Sequence, residues 1–144
     1  MSQFILDERL QRDTLEVAES PLSLLRMFND SRYFWLILIP KIHGAVELHT
    51  LPPSVRVQLT NETMLCSEAI ANQPNVSKIN TGALGNIVRQ LHVHIVGRNP
   101  TDPAWPGPVW GHSLAVPLSI SEHSERVQIL KNSVLGADFC FDRA

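Results

Sequence analysis

Several features that mark specialised proteins are scarce or missing in this sequence. Two cysteines, Cys66 and Cys140, cannot build a disulfide framework, so free thiols in a reducing compartment are expected. Neither sign of charge dominates, since 12 Lys and Arg against 14 Asp and Glu leave a net −2. Long nucleic acid is therefore excluded as a partner, because it is held by neutralising phosphates. The longest apolar run, "YFWLILIP" at 33–40, is far shorter than the roughly 20 residues that cross a bilayer. The first residues, "MSQFILDERLQRDT", carry charge where a secretion signal needs an apolar stretch. No repeat or low-complexity tract is present. These absences predict a soluble, cytoplasmic protein with no membrane partner.

What is there has the make-up of a globular chain. A hydrophobic fraction of 44% in 144 residues is enough for one domain with a real core. The run at 33–40 reads as a strand stopped by Pro40, and its unbroken hydrophobicity places it centrally, covered on both faces. "LPPSVRVQLTNETMLCSEAIAN" reads as a helix. Val55, Leu59, Met64, Leu65 and Ile70 form its apolar stripe, Pro52 and Pro53 suit its first turn, Ser54 is a candidate cap and Pro74 stops it. "VSKIN" is read as a strand, "TGALGN" as a loop and "IVRQLHVHIVGR" as another strand. "NPTDPAWPGPVWG", with four prolines, is an extended loop. "SISEHSERVQILKNSVLG" is read as a helix capped by Ser119 or Ser121 and closed by Gly136. Residues 4–10 read as a short strand or turn at an edge, and "PLSLLRMFND" ends in an Asn29-Asp30 turn. Strands in succession without crossover helices predict an α+β fold with an antiparallel sheet.

Two histidines stand one residue apart in "RQLHVHIVGRNP". Side chains alternate along a strand, so Leu91, Val93 and Ile95 share one face and Gln90, His92, His94 and Val96 the other. Three readings of the pair are open. They are half-exposed strand histidines, or two ligands of a metal, or a catalytic pair. A zinc site needs three or four ligands, and neither cysteine lies in a CxxC pair. Catalysis uses one neutral imidazole as a nucleophile toward phosphorus and its neighbour as a donor to a phosphate oxygen. Residues i and i+2 on one face are about 7 Å apart, so both rings reach a phosphate between them. The loop 80–86 leads into the strand. Its Gly82 and Gly85 allow close backbone approach, and Asn80 and Asn86 add neutral donors.

"QLHVHIVGR" resembles the motif of the histidine triad (HIT) superfamily, His-φ-His-φ-His-φ-φ. "WLILIPKIH" resembles that family's second sheet strand, "KINTGALGN" its phosphate loop, and "DPAWPGPVWG" the tail of a bacterial subgroup that begins its motif with Gln. Diadenosine polyphosphate hydrolase-like proteins are the implied relatives. The resemblance implies a single HIT domain over 1–144, with a core at about 4–111 and a helical extension at about 119–136. It implies a mostly antiparallel five-stranded sheet with a long helix, a C-terminal helix and a homodimer. It also implies a two-step reaction in which His92 attacks the α-phosphate of a nucleotide and water hydrolyses the nucleotidyl-histidine. His94 would then partner a phosphate oxygen or the leaving group. Asn80, Gly85 and Asn86 fall on the phosphate side, and Asn29 falls near where relatives bind ribose, with a plain turn as the alternative. No redox cofactor or resident metal is implied, though divalent cations accompany polyphosphate substrates.

The sequence departs from the pattern at Gln90, which stands in the first triad position. Its backbone carbonyl is the part the family uses to orient the middle ring, so the nucleophile is kept. Trp35 stands where many relatives have histidine, and a Gln90–Trp35 packing contact is expected in place of a His–His one. His43 reads as structural or at a dimer edge, and His49, His112 and His123 as solvated. Trp105 and Trp110 either pack the proline-rich loop down or form a lid at the site. Two functions compete: a hydrolase of dinucleoside polyphosphates or adenosine phosphoramidates, and a nucleotide binder that turns over slowly. A structural zinc protein is the third.

Overall fold

An apolar run can bury both faces only when strands flank it and further layers cover it. The computed structural model, which describes residues 3–141, has this arrangement. Thr14–Glu19 (β1), Ser23–Phe28 (β2), Phe34–Pro40 (β3), Lys78–Gly82 (β4) and Val93–Arg98 (β5) form one sheet. Its order is β1-β2-β3-β5-β4, and every neighbouring pair is antiparallel. Glu8–Asp13 (α1), Pro53–Ala71 (α2) and Ile120–Lys131 (α3) complete an α+β fold, as expected.

The alternation of side chains divides the interior in two. Leu36 and Leu38 of β3 and Val93 and Ile95 of β5 face Leu59, Cys66, Ala69 and Ile70 of α2, with Leu130 of α3 alongside. A Cβ at Gly97 would lie 2.7 Å from Ile70 Cγ2, so glycine at this point is what lets α2 rest on β5. The opposite face carries Trp35, Ile37 and Ile39 of β3 and Val96 of β5. They are covered by Leu10 of α1, by Ala104 and Val109 of the proline-rich loop, and by Phe4 and Leu6. Both faces of the histidine strand are therefore interior, and the imidazoles are set into the smaller core rather than onto a half-exposed surface.

Several boundaries differ from the expectations. Residues 8–13 are a helix, because Asp7 caps them by accepting from Arg9 N–H. Pro52, not Ser54, is the N-cap of α2, and no side-chain bond caps that end. The strand expected from "VSKIN" is shifted to Lys78–Gly82, taking in part of the loop. The histidine strand begins only at Val93, since Leu91 N–H donates to Ala45 outside the ladder. α3 is capped by Ser119 in a capping box but ends at Lys131. Gly136 lies on a following 3-10 turn, where a Cβ would come within 2.3 Å of the Lys131 carbonyl. No helix among the described residues is long and apolar enough to cross a membrane.

Candidate active site

Strand register determines what surrounds the histidines. His94 lies opposite Ile37 of β3 on one side and Gly82 of β4 on the other. Trp35 faces Val96 and is thus the diagonal neighbour of His94, within reach of a long aromatic side chain. Its indole N–H donates to His94 Nδ1 at 3.0 Å. The expected Gln90–Trp35 partnership is replaced by this bond, because Gln90 precedes the ladder and its side chain turns to the N-terminal segment.

His92 is held by its own chain. Its Nδ1–H donates to the Gln90 carbonyl at 2.7 Å, which leaves the lone pair on Nε2. His94, accepting at Nδ1, carries its proton on Nε2. The two rings, 4.9 Å apart between centroids, thus present opposite functions, a lone pair and an N–H donor. Both side chains are buried, at 7% and 6% exposure, so the half-exposed reading does not hold. Burial, with a smaller effect of the His92 charge, lowers the His94 pKa to about 3. His94 is therefore neutral at physiological pH, with Nε2–H as its hydrogen-bond donor.

The walls come from the loops. Trp110 packs edge-on against His94 at 5.5 Å and lies over Gly82, so this tryptophan belongs to the site. Trp105 is farther out, with Arg98 5.7 Å from its ring. Arg98 is almost fully buried, at 1% exposure, and sequence reasoning missed it. It forms a bidentate pair with Asp102 and donates to the Gly107 carbonyl and to Asn80 Oδ1. Asn80 faces the same side as Val96 and His94, and the bond from Arg98 fixes its oxygen inward and its NH2 as the outward donor. The burial of Asp102 would raise its pKa, but its hydrogen bonds to Arg98 and to backbone N–H groups prevail and hold it below the usual range. An arginine beside "NPTDP" reads as surface charge in sequence, and only the fold reveals this hub.

Gly85, at φ +67, makes the turn into the histidine segment, and Asn86 is exposed on it. Asn29 uses its side-chain oxygen to accept from Leu118 N–H. Exposed His43 lies on another loop and exposed His49 on the 3-10 turn Leu48–Thr50, while His112 bonds Ser113 and His123 donates to the Glu16 carbonyl on the edge of β1. Among the described residues no three His, Cys, Asp or Glu side chains gather as a metal ion would need. A cavity of about 550 Å³ lies between β1, β2 and α3; His123 lines it, and neither His92 nor His94 does.

Antiparallel sheet, long helix and paired imidazoles together define the HIT-like class of α+β proteins. The HIT domain matches residues 9–101, and the chain belongs to the histidine triad family. A histidine triad protein from Sinorhizobium meliloti 1021 is 43% identical, with a TM-score of 0.89 over 91% of this chain and 97% of that one. One from Marinobacter aquaeolei VT8 is 38% identical, with a TM-score of 0.87 over 90% and 95%. One from Bradyrhizobium japonicum is 35% identical, with a TM-score of 0.89 over 92% and 99%. No curated protein matches the chain.

Proposed function

We propose that this chain is a nucleotidyl hydrolase that acts through a nucleotidyl-histidine. The observation that carries the reading is the pair of opposite tautomers, His92 with a lone pair at Nε2 and His94 with a proton there. His92 Nε2 attacks the α-phosphorus, the N–P bond forms, and the bond from phosphorus to the leaving group breaks with its electron pair on that group. A phosphate leaves as its anion, and an amine leaves as the neutral molecule after its nitrogen has taken a proton from solvent. As the His92 ring becomes cationic, the Gln90 carbonyl stabilises the charge at Nδ1–H. His94 Nε2–H donates to a phosphate oxygen or to the departing atom. Water then attacks the same phosphorus, the N–P bond breaks, and His92 is regenerated with release of a nucleoside monophosphate.

Dinucleoside polyphosphates and adenosine phosphoramidates are the substrates we assign, as for the Gln-containing bacterial subgroup that the motif resembles. Asn80, through its outward NH2, and the backbone at Gly85 and Asn86 would receive the phosphates. Asn29 would offer its amide nitrogen to the ribose. No resident cofactor is needed, and a divalent cation would arrive with a polyphosphate. Homodimerisation belongs to the same reading, supported by Val57 and Met64, exposed on α2, and by the edge position of β4. A slow nucleotide binder is the second reading, favoured by the use of the Gln90 side chain away from the rings.

The test is product chromatography with diadenosine polyphosphates, AMP-lysine and adenosine 5′-phosphoramidate, for wild type and His92→Ala. The hydrolase reading expects AMP from wild type and a loss of at least ~10³-fold in the variant, equal to about 4 kcal/mol, with affinity nearly kept. Binding of AMP without turnover by wild type would decide for the binder.

A further inference from the structure

Gln90 occupies a position next to the nucleophile, yet its side chain points to the beginning of the chain. Its Oε1 accepts from Asp7 N–H at 2.8 Å, and its Nε2 donates to the Ile5 carbonyl, also at 2.8 Å. The carbonyl of residue 5 and the N–H of residue 7 are the two groups that a neighbouring peptide would take from an extended segment. A carboxamide carries one acceptor and a donor in that same geometry, so Gln90 acts as a peptide in side-chain form. The segment is tied at a second point, where Arg9 Nη1 donates to the Ile87 carbonyl at 3.3 Å. Around the first tie, Phe4 and Leu6 pack into the core that holds Trp35 and Val96, while Ile5 points outward with 77% exposure.

The same residue holds His92. Its backbone carbonyl takes the Nδ1–H of the ring at 2.7 Å. Gln90 lies outside the strand ladder, which starts at Val93, so the sheet does not fix this peptide. Leu91 N–H on Ala45 is one restraint, and the two side-chain bonds to residues 5 and 7 are the other. We infer that Gln90 is a positioning residue, and that its carboxamide latches the N-terminal segment across the site so that its carbonyl holds His92 in the attacking tautomer and orientation. Substituting glutamine in the triad thus exchanges a ring beside the nucleophile for a strap that braces it. This inference rests on the hydrolase reading for its kinetic part only.

Gln90→Ala removes the latch from one side and Asp7→Pro from the other. Asp7 has φ −56, which proline adopts, so that change deletes the N–H, the α1 cap and the carboxylate's pair with Arg9 without straining the backbone. Asp7→Ala deletes the cap and the carboxylate's pair with Arg9 but keeps the N–H that Gln90 holds, and must fall nearer to wild type than Asp7→Pro. Hydrogen exchange at residues 4–7 reports release of the strap. In histidine-labelled protein at pH 8, long-range ¹⁵N–¹H correlations report the His92 tautomer without any substrate. The expected result for Gln90→Ala and Asp7→Pro is faster exchange, a mixture of His92 tautomers, and kcat lowered at least about tenfold with KM within about twofold. A released strap with His92 still in one tautomer and kcat unchanged would overturn the inference. If wild type shows no turnover, the hydrolase reading fails alone, and the tautomer of His92 in the two variants still decides for or against the latch.

Discussion

The indole N–H of Trp35 donates to Nδ1 of His94 across 3.0 Å, between diagonal neighbours on β3 and β5. An indole cannot titrate, so the proton on His94 is confined to Nε2 over the whole working range of pH. Trp35 is itself fixed by stacking on Phe28, with centroids 4.2 Å apart. Trp35→Phe keeps an aromatic ring and removes the donor, together with part of the volume that the indole fills in the smaller core. We expect a second His94 tautomer to become populated and kcat to fall about five- to tenfold, the kinetic equivalent of one hydrogen bond. Ring ¹⁵N shifts of His94 and steady-state kinetics measure the two effects. An unchanged tautomer in the variant would show that the strand environment alone sets it.

His94 also makes stability depend on pH. Burial depresses its folded pKa to about 3, whereas an unfolded histidine titrates near 6.5. Between those values the unfolded chain binds a proton that the folded protein refuses. The stabilising contribution is therefore complete above about pH 6.5 and is lost as the pH falls toward 3. The loss is about 1.4 kcal/mol per pH unit, or about 2 kcal/mol between pH 7 and pH 5. Urea unfolding of wild type and His94→Gln over that range should give a steeper decline for wild type. Parallel declines would mean that other groups carry the acid sensitivity.

How far the sequence could be read depended on whether a residue's neighbours in the chain are also its neighbours in space. β3 was legible because eight consecutive residues from Tyr33 are nearly all apolar, and α2 because its stripe and its prolines agree. The phase of Leu91, His92, Val93 and His94 also came through, since alternation needs no partner. α1 was missed because six residues with one buried leucine show no period, and its cap depends on Asp7 turning toward Arg9. At Gln90 the carbonyl contact was foreseeable, but the side chain's partners lie more than 80 residues earlier, and nothing local points to them. Arg98 was invisible for a related reason. Asp102, four residues on, reads as its helical neighbour only if a helix is present, and here a loop brings the two together.

Gly97 is a stability position that has no chemical role. It pairs with Phe34 and Ile79 in the sheet and lies beneath α2. A methyl group there would meet Ile70 Cγ2 at 2.7 Å and Val76 Cγ2 at 3.1 Å. Ile70 is fully buried and β-branched, so it has little freedom to yield. Gly97→Ala is expected to cost about 1–3 kcal/mol, the usual range for overpacking a core. Thermal or urea unfolding measures it. A neutral outcome would mean that α2 can shift on the sheet, which the packing of Cys66, Ala69 and Ile70 argues against.

Asp102 tests whether the proline-rich loop is a wall of the site. Its carboxylate takes two bonds from Arg98 and also accepts from the N–H groups of Asn99, Ala104 and Trp105. Asp102→Ala would leave the Arg98 guanidinium buried, with Asn80 and Gly107 as its remaining hydrogen-bond partners. Removing one member of a buried pair costs about 3–5 kcal/mol, mostly through the charge left behind. The loss should not be confined to stability. Arg98 fixes Asn80 and the loop that carries Trp110, so a loosened loop should raise KM for the nucleotide more than it lowers kcat. Asp102→Asn keeps one carboxamide oxygen for the backbone N–H groups and should fall between wild type and alanine on both measures. Equal KM values for all three proteins, at temperatures where each is folded, would show that Trp110 covers the histidines without contacting the substrate.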